Sequence, residues 1–445
     1  MSRNPVNQEV IGSVLITNIK TIDDIVKRSK IAQKKWEKLS VDERIQYLVK
    51  ASEQLLPEIK QLAVLLSKEM GKDINRSTGE VSGCAHDVFY RARDVKEAIK
   101  TQIFHSSGMK TKMQYNAYGV CAVIAPWNFP LAMAHWLIIP SLVAGNSVVF
   151  KPSEETPLIA QAYVDLFNKI LPKDVLQIVH GNGEQGKALV NSNVNLIAFT
   201  GSKETGKDIM KNAAIGLKRL IMELGGKDPL IVLKDADIDK AARFAVASSF
   251  ENAGQMCNST ERVFVDKLIA EVFESRVIEY AKQYKVGSWD EDSDIGPIIN
   301  EKQRNIILTQ LEDAVEKGAK IIFGKEQRRQ GFIFPTVITN INNDMKIFQE
   351  ETFGPIVSIC HFDTNEEVIL KANDSDFGLG AVIYGRESVN DIAERMEAGM
   401  VGINQGIGSA GDTPWVGSKQ SGYGYHGSPD GHRQFTQVKT ITQRG

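Results

Sequence analysis

The chain has 445 residues, 42% of them hydrophobic and 24% charged, with a formal net charge of −2. That length supports two to three domains of about 150 residues with real cores, and the near-neutral charge offers no bulk attraction to nucleic acid or an anionic membrane. Four cysteines, Cys84, Cys121, Cys257 and Cys360, show neither Cys-x-x-Cys pairing nor His spacing, so they signal no metal site and no disulfide scaffold and suit a reducing compartment.

The first ten residues include Arg3, Asn4, Pro5, Asn7, Gln8 and Glu9 rather than an apolar signal core, and no later run approaches the ~18 apolar residues of a membrane span. The expected location is the cytoplasm. From Thr21 to about Met70, apolar residues recur at helical spacing (Ile22, Ile25 and Val26; Ile45, Leu48 and Val49; Leu62, Leu65 and Leu66), which predicts successive surface helices. After about residue 119 the pattern changes to short apolar runs at 120–125, 147–150, 177–179 and 196–199, each bounded by Pro, Gly or Asn and of strand length. Between them a helix is predicted to open at Thr156-Pro157, with Thr as N-cap, Pro at the first helical position, and Ala162, Leu166 and Ile170 on one stripe. Strands alternating with helices predict a doubly wound parallel sheet. A second alternation follows Gly226, with strands at 229–233, 319–323 and 356–359 and a helix from Asp237 to Phe250, so a second α/β domain begins there. Residues 111–118 and 438–442 alternate weakly and are expected to form exposed strands for pairing between subunits.

Two segments 34 residues apart carry the chemistry: Glu223-Leu224-Gly225-Gly226-Lys227 and Gly254-Gln255-Met256-Cys257. A thiolate attacks an aldehyde carbonyl, and a nearby carboxylate takes the thiol proton or activates water on the thioester that results. Each segment has a bland reading alone, the Cys as a packed small hydrophobe and the Glu as a solvated turn residue. The predicted helix puts Cys257 in the second domain while Glu223 closes the first, so the site is expected in the cleft between them. The stretch from Gly181 to Gly186 fits Gly-x-Gly-x-x-Gly, but no clear acid ends a strand about 20 residues on, and Gly181 is kept only as a candidate cofactor contact.

Six further segments stand in line with these two: Asn4-Pro5 with Glu9-Val10-Ile11-Gly12, Pro126-Trp127-Asn128-Phe129-Pro130, Lys151-Pro152-Ser153-Glu154, Phe199-Thr200-Gly201-Ser202, Glu350-Glu351-Thr352-Phe353-Gly354-Pro355, and Ser421-Gly422-Tyr423-Gly424. With them the chain resembles the aldehyde dehydrogenase superfamily over nearly its full length. The resemblance implies a Rossmann-like NAD-binding domain at 1–98 and 119–225, a catalytic α/β domain at 226–420, and a small β oligomerisation element at 99–118 and 421–445. It implies Cys257 as nucleophile, Glu223 as general base, and Asn128 with the Cys257 backbone N–H as the oxyanion hole; read without the family, Asn128 is a turn former. For the cofactor it implies Lys151 and Glu154 on the adenosine ribose, Gly201 and Ser202 at the pyrophosphate, Glu351 and Phe353 at the nicotinamide and its ribose, and Trp127 and Leu224 as further cofactor contacts. Glu154 would repel a 2′-phosphate, so NAD is favoured, with NADP left open. Phe129 and Trp136 are implied as substrate-tunnel aromatics.

The chain departs from that pattern in places. Its N-terminal lead is short, Pro414-Trp415-Val416-Gly417 replaces the usual Pro-Phe-Gly-Gly, Tyr425 replaces a common Arg, and Glu251 stands where relatives carry an aromatic or small residue. Glu251 in the tunnel would favour cationic or polar aldehydes, and pointing to solvent it would do nothing. The expected activity is oxidation of an aldehyde to the acid with NAD, in a homodimer or homotetramer. The alternatives are a CoA-acylating semialdehyde dehydrogenase, a reductase of acyl phosphates, which usually lacks the base, and a non-catalytic structural relative.

Overall fold

Consecutive residues of the strand Val120–Ile124 enter two different cores. Cys121 and Val123 pack with Val148, Phe150, Leu196 and Ala198, whereas Val120, Ala122 and Ile124 pack with Val149, Ile197 and Phe199. A strand covered by helices on both faces is apolar at every position, which is why these runs do not alternate. The computed structural model describes residues 1–324, 331–408 and 411–444. Its first sheet has six strands in the order Gly422–Tyr423, Arg219–Glu223, Leu196–Thr200, Val120–Ile124, Ser147–Lys151, Leu176–Ile178. Neighbours are parallel except the first pair. Helices Val41–Glu53, Ile59–Met70, Ala132–Val143 and Pro157–Asn168 fill one core, and Ile19–Trp36, Gly183–Asn191 and Lys203–Ala213 supply most of the helical side of the other.

The helix Pro157–Asn168 forms, but not with the expected cap or stripe. Thr156 makes no capping hydrogen bond, and its hydroxyl has no partner. The N–H groups of Leu158 and Ile159 instead donate to the two carboxylate oxygens of Glu69, at 3.0 and 2.8 Å. A buried carboxylate from another helix thus does the work of the N-cap, and burial pushes it up to about 7. The buried face is Ile159, Ala160, Tyr163, Val164, Leu166 and Phe167; Ala162 and Ile170 are only half-buried.

The second sheet begins five residues after Glu223, at Asp228. Its seven strands run Lys320–Phe323, Thr336–Thr339, Ile356–Phe362, Thr260–Asp266, Asp228–Val232, Gly380–Tyr384, Met400–Ile403, parallel except for the first. Helices Ile238–Phe250 and Ala270–Ala281 pack on it through Ala245, Val246, Phe273 and Val277. A third sheet, Gln102–Ser106, Met109–Ala117 and Thr436–Arg444, is antiparallel and leaves Ile103, Phe104, Met109, Val438 and Ile441 exposed. Gly422 and Tyr423 fall outside it, contrary to the expected span from 421: they pair with Glu223 and Met222 in the first sheet, where Leu224 N–H also donates to Ser421 O at 2.9 Å. Among the described residues no helix is long and apolar enough to cross a membrane, and no cluster of His, Cys, Asp and Glu could hold a metal ion.

Candidate active site

Every residue of the segment after Met222 is fixed by a specific neighbour. Glu223 ends the strand Arg219–Glu223 and is only 5% exposed. Leu224 packs over Gly206, where an added Cβ would lie 2.7 Å from its side chain. A Cβ on Gly225 would lie 2.5 Å from Glu351 Oε1, and one on Gly226 would lie 2.3 Å from the Cys257 carbonyl oxygen. Gly226 is therefore required by close approach to backbone, whereas at Gly225 the neighbour is the movable end of the Glu351 side chain. Lys227 is buried and donates to Glu261 at 2.6 Å and to the Thr352 hydroxyl at 2.9 Å. Glu261 in turn accepts from the backbone N–H groups of Thr352 and Phe353, at 2.7 and 2.8 Å, so the segment carrying Phe353 is locked to the Glu223 segment.

The approach to Cys257 is a strained turn. After the helix Ile238–Phe250, Asn252, Ala253 and Gly254 have φ of 51°, 57° and 69°, a left-handed run that only Gly adopts without strain. Gly254 cannot carry a side chain, because its Cβ would lie 2.1 Å from Gly354 O. Gln255 holds the turn through bonds to Asn252 O, Pro297 O and Ile299 N–H, while its own carbonyl accepts from Asn128 Nδ2 at 3.0 Å and Asn252 Nδ2 at 3.2 Å. Asn128 is thus brought to the cysteine turn across 127 residues of sequence, and its amide keeps a second N–H.

Burial pushes Glu223 up to about 7, against opposing contributions from Cys257 and from the Trp415 indole, whose Nε1 donates to Oε1 at 3.4 Å. Its Oε2 atom is buried and has no hydrogen-bond partner. Burial and the negative charge of Glu223 hold the Cys257 thiol well above the usual thiol range. Both groups are thereby biased toward their protonated, neutral forms. Cys257 is half-buried, whereas Cys84, Cys121 and Cys360 are buried. Glu351, half-buried at the cleft, is pushed up to about 8 by desolvation and by the nearby charge of Glu261, and accepts from Gly226 N–H at 3.0 Å.

A cleft of about 1140 Å³ between the two sheets is lined by Trp127, Asn128, Lys151, Glu154, Gly201, Ser202, Glu223, Leu224, Cys257, Glu351 and Phe353. Ser202 caps the helix Lys203–Ala213, whose N-terminus opens on the cleft, and Lys151 and Glu154 lie at the carboxyl end of the strand Ser147–Lys151, 3.6 Å apart. Trp127 and Phe353 meet edge to face with centroids 5.5 Å apart. The volume, the helix N-terminus and the paired Lys and Glu at a strand end fit a dinucleotide. Four expected residues lie outside the cleft lining: Gly181, Phe129, Trp136 and Glu251. Gly181 has φ +147°, and a Cβ there would strike Gln185, so it shapes the turn while Asn182 and Gly183 face the cleft. Phe129 lies under the buried Lys72 ammonium, 3.6 Å from its ring centroid, and Trp136 packs between Arg91 and His426. Glu251 is exposed and 3.9 Å from Arg76, a cation on a distant helix that the sequence pattern did not connect with it. Asn300, which donates to Glu155 at 2.8 Å across the cleft, and Gln303 also went unread, for the same reason.

Fold and cleft together define a two-domain enzyme of the nicotinamide-dinucleotide oxidoreductase class. The aldehyde dehydrogenase family model matches residues 1–441, and the chain belongs to that family. It is 36% identical to the mitochondrial succinate-semialdehyde dehydrogenase of Oryza sativa subsp. japonica, over 99% of this chain and 85% of that protein. It is 35% identical to the betaine aldehyde dehydrogenase of Bacillus subtilis (strain 168), over 98% of this chain and 92% of the relative. The crystal structure of betaine aldehyde dehydrogenase from Staphylococcus aureus in complex with NAD+ superposes with a TM-score of 0.94 at 32% identity, covering all of this chain and 91% of that one.

Proposed function

We propose that the protein oxidises an aldehyde to its carboxylic acid by covalent catalysis at Cys257, with Glu223 as the base that completes hydrolysis. The observation that carries this reading is the pairing, in one cleft, of a half-buried thiol with a buried carboxyl near neutrality that has one unpartnered oxygen. Cys257 Sγ bonds to the aldehyde carbon as its proton passes to Glu223, and the carbonyl oxygen becomes an alkoxide. The second Nδ2 hydrogen of Asn128 and the Cys257 backbone N–H meet that charge. NAD, held in the cleft, would supply the acceptor for the hydride that the carbon gives up. Glu223 releases to solvent the proton it took from Cys257 and, ionised again, takes a proton from water attacking the thioester; the C–S bond breaks, the acid leaves, and Glu223 returns that proton to the Cys257 thiolate.

Lys151 and Glu154 would hold the adenosine ribose, Gly201 and Ser202 with the helix N-terminus the pyrophosphate, and Trp127, Leu224, Glu351 and Phe353 the nicotinamide side. The Glu154 carboxylate supports NAD over NADP. Glu251 is exposed, lies outside the cleft lining and has Arg76 at 3.9 Å, so selection for cationic aldehydes at Glu251 is weak. The exposed apolar residues of the three-stranded sheet support assembly into a homodimer or homotetramer, and four unpaired cysteines suit the cytoplasm.

The test is NADH absorbance from wild type and Cys257→Ser with aliphatic, aromatic, acidic and cationic aldehydes, each with NAD, NADP and added CoA. Turnover that needs Cys257 and not CoA is expected. A requirement for CoA would replace hydrolysis by acyl transfer, and no turnover on any aldehyde would overturn the reading.

A further inference from the structure

Trp415 stands where the family motif usually has Phe, and its position is fixed from the backbone. Its N–H donates to His426 O at 2.9 Å in an isolated antiparallel bridge. His426 is itself buried, with its ring 6.0 Å from Trp136. From this anchored segment the half-buried indole reaches across 192 residues of sequence to Glu223, Nε1 donating to Oε1 at 3.4 Å. Oε2 is left buried and without a hydrogen-bond partner. A phenylalanine at this position would present similar ring bulk but no donor.

We propose that Trp415 is a positioning residue for Glu223: its indole N–H holds one carboxylate oxygen so that the other remains unpartnered and available for the proton of Cys257 and then of the attacking water. A carboxylate with no polar partner in an apolar pocket has several rotamers of similar energy and a strong bias to stay protonated. The indole hydrogen bond opposes both, since it fixes one rotamer and favours the ionised form. It also works against the burial that pushes Glu223 up to about 7. The inference rests on the reading of Glu223 as the base.

The closing experiment separates the two. Iodoacetamide alkylation reports on Cys257, because the other three cysteines are buried, and it needs no aldehyde. Its rate is measured from about pH 5.5 to 9 in wild type, Trp415→Phe, Glu223→Gln and the double variant, alongside kcat and KM for aldehyde oxidation. In Trp415→Phe the midpoint of the acid limb moves to higher pH by roughly half to one unit, as expected for losing one long charge-assisted bond. The expected kcat falls about three- to tenfold with KM unchanged. In the Glu223→Gln background the same change has no effect. Superimposable profiles for wild type and Trp415→Phe, or an equal shift with Gln at 223, would overturn the proposal. If Glu223→Gln itself leaves alkylation and turnover unchanged, the reading of Glu223 as base fails instead. Should Trp415→Phe not fold, as judged by circular dichroism, benzothienylalanine at 415 keeps the shape of the indole while removing its N–H, with the same two outcomes.

Discussion

Replacing Glu223 by Gln should make the protein more stable while removing hydrolysis. The carboxyl is held at about 7 in the folded state against an ordinary value of 4.5. Below about pH 4.5 it is protonated whether the chain is folded or not, and contributes no pH dependence. As pH rises toward 7 the unfolded chain ionises freely while the folded chain resists, so stability falls through this window and levels off above it. The gap of 7 − 4.5 corresponds to about 3 kcal/mol at ~1.36 kcal/mol per pH unit. Gln carries no such penalty. Its new amide hydrogens face a pocket where Oε2 had no partner, which removes about 1 kcal/mol and leaves a net gain of roughly 2 kcal/mol above pH 7. Chemical unfolding of both proteins at pH 5, 6, 7 and 8 would show midpoints that nearly coincide at the acid end and separate as pH rises. Steady-state turnover should meanwhile drop by about 10²–10⁴. Parallel stability curves across this range would refute the assignment of an ionisation-resistant carboxyl at 223.

Asn128→Ala removes a side-chain donor beside the cysteine turn and is expected to lower kcat by about 10²–10³ with a small change in KM, measured by initial rates. Lys227→Met leaves Glu261 buried without the ammonium at 2.6 Å; a loss of about 3–5 kcal/mol in urea unfolding is expected, with weaker NAD binding because Glu261 holds Thr352 and Phe353. Unchanged unfolding would show that the pair is dispensable. Glu154→Gln removes a half-exposed carboxylate from the cleft and should shift the NADP to NAD ratio of kcat/KM upward roughly three- to tenfold; no shift would place the 2′-position elsewhere.

The alternation of short apolar runs with helical stripes was enough to read the two α/β sheets, because strands buried on both faces and helices buried on one leave local patterns in composition. The glycines beside Glu223 and before Cys257 were visible as motifs, but the reason for them was not: Gly225 is shaped by Glu351, Gly226 by the Cys257 carbonyl and Gly254 by Gly354. What depends on partners far away in sequence had no local signature. Glu69 capping the helix at Pro157, Arg76 offsetting Glu251, Tyr423 pairing beside Glu223 rather than in the projecting sheet, and Trp415 reaching Glu223 are all set by where folding brings separate elements together. Sequence by itself determined which residues have the chemistry of nucleophile, base and donor, since side-chain identity fixes what a group can do. Tertiary structure decided their protonation and readiness, because those depend on the water excluded and the partners supplied around each group.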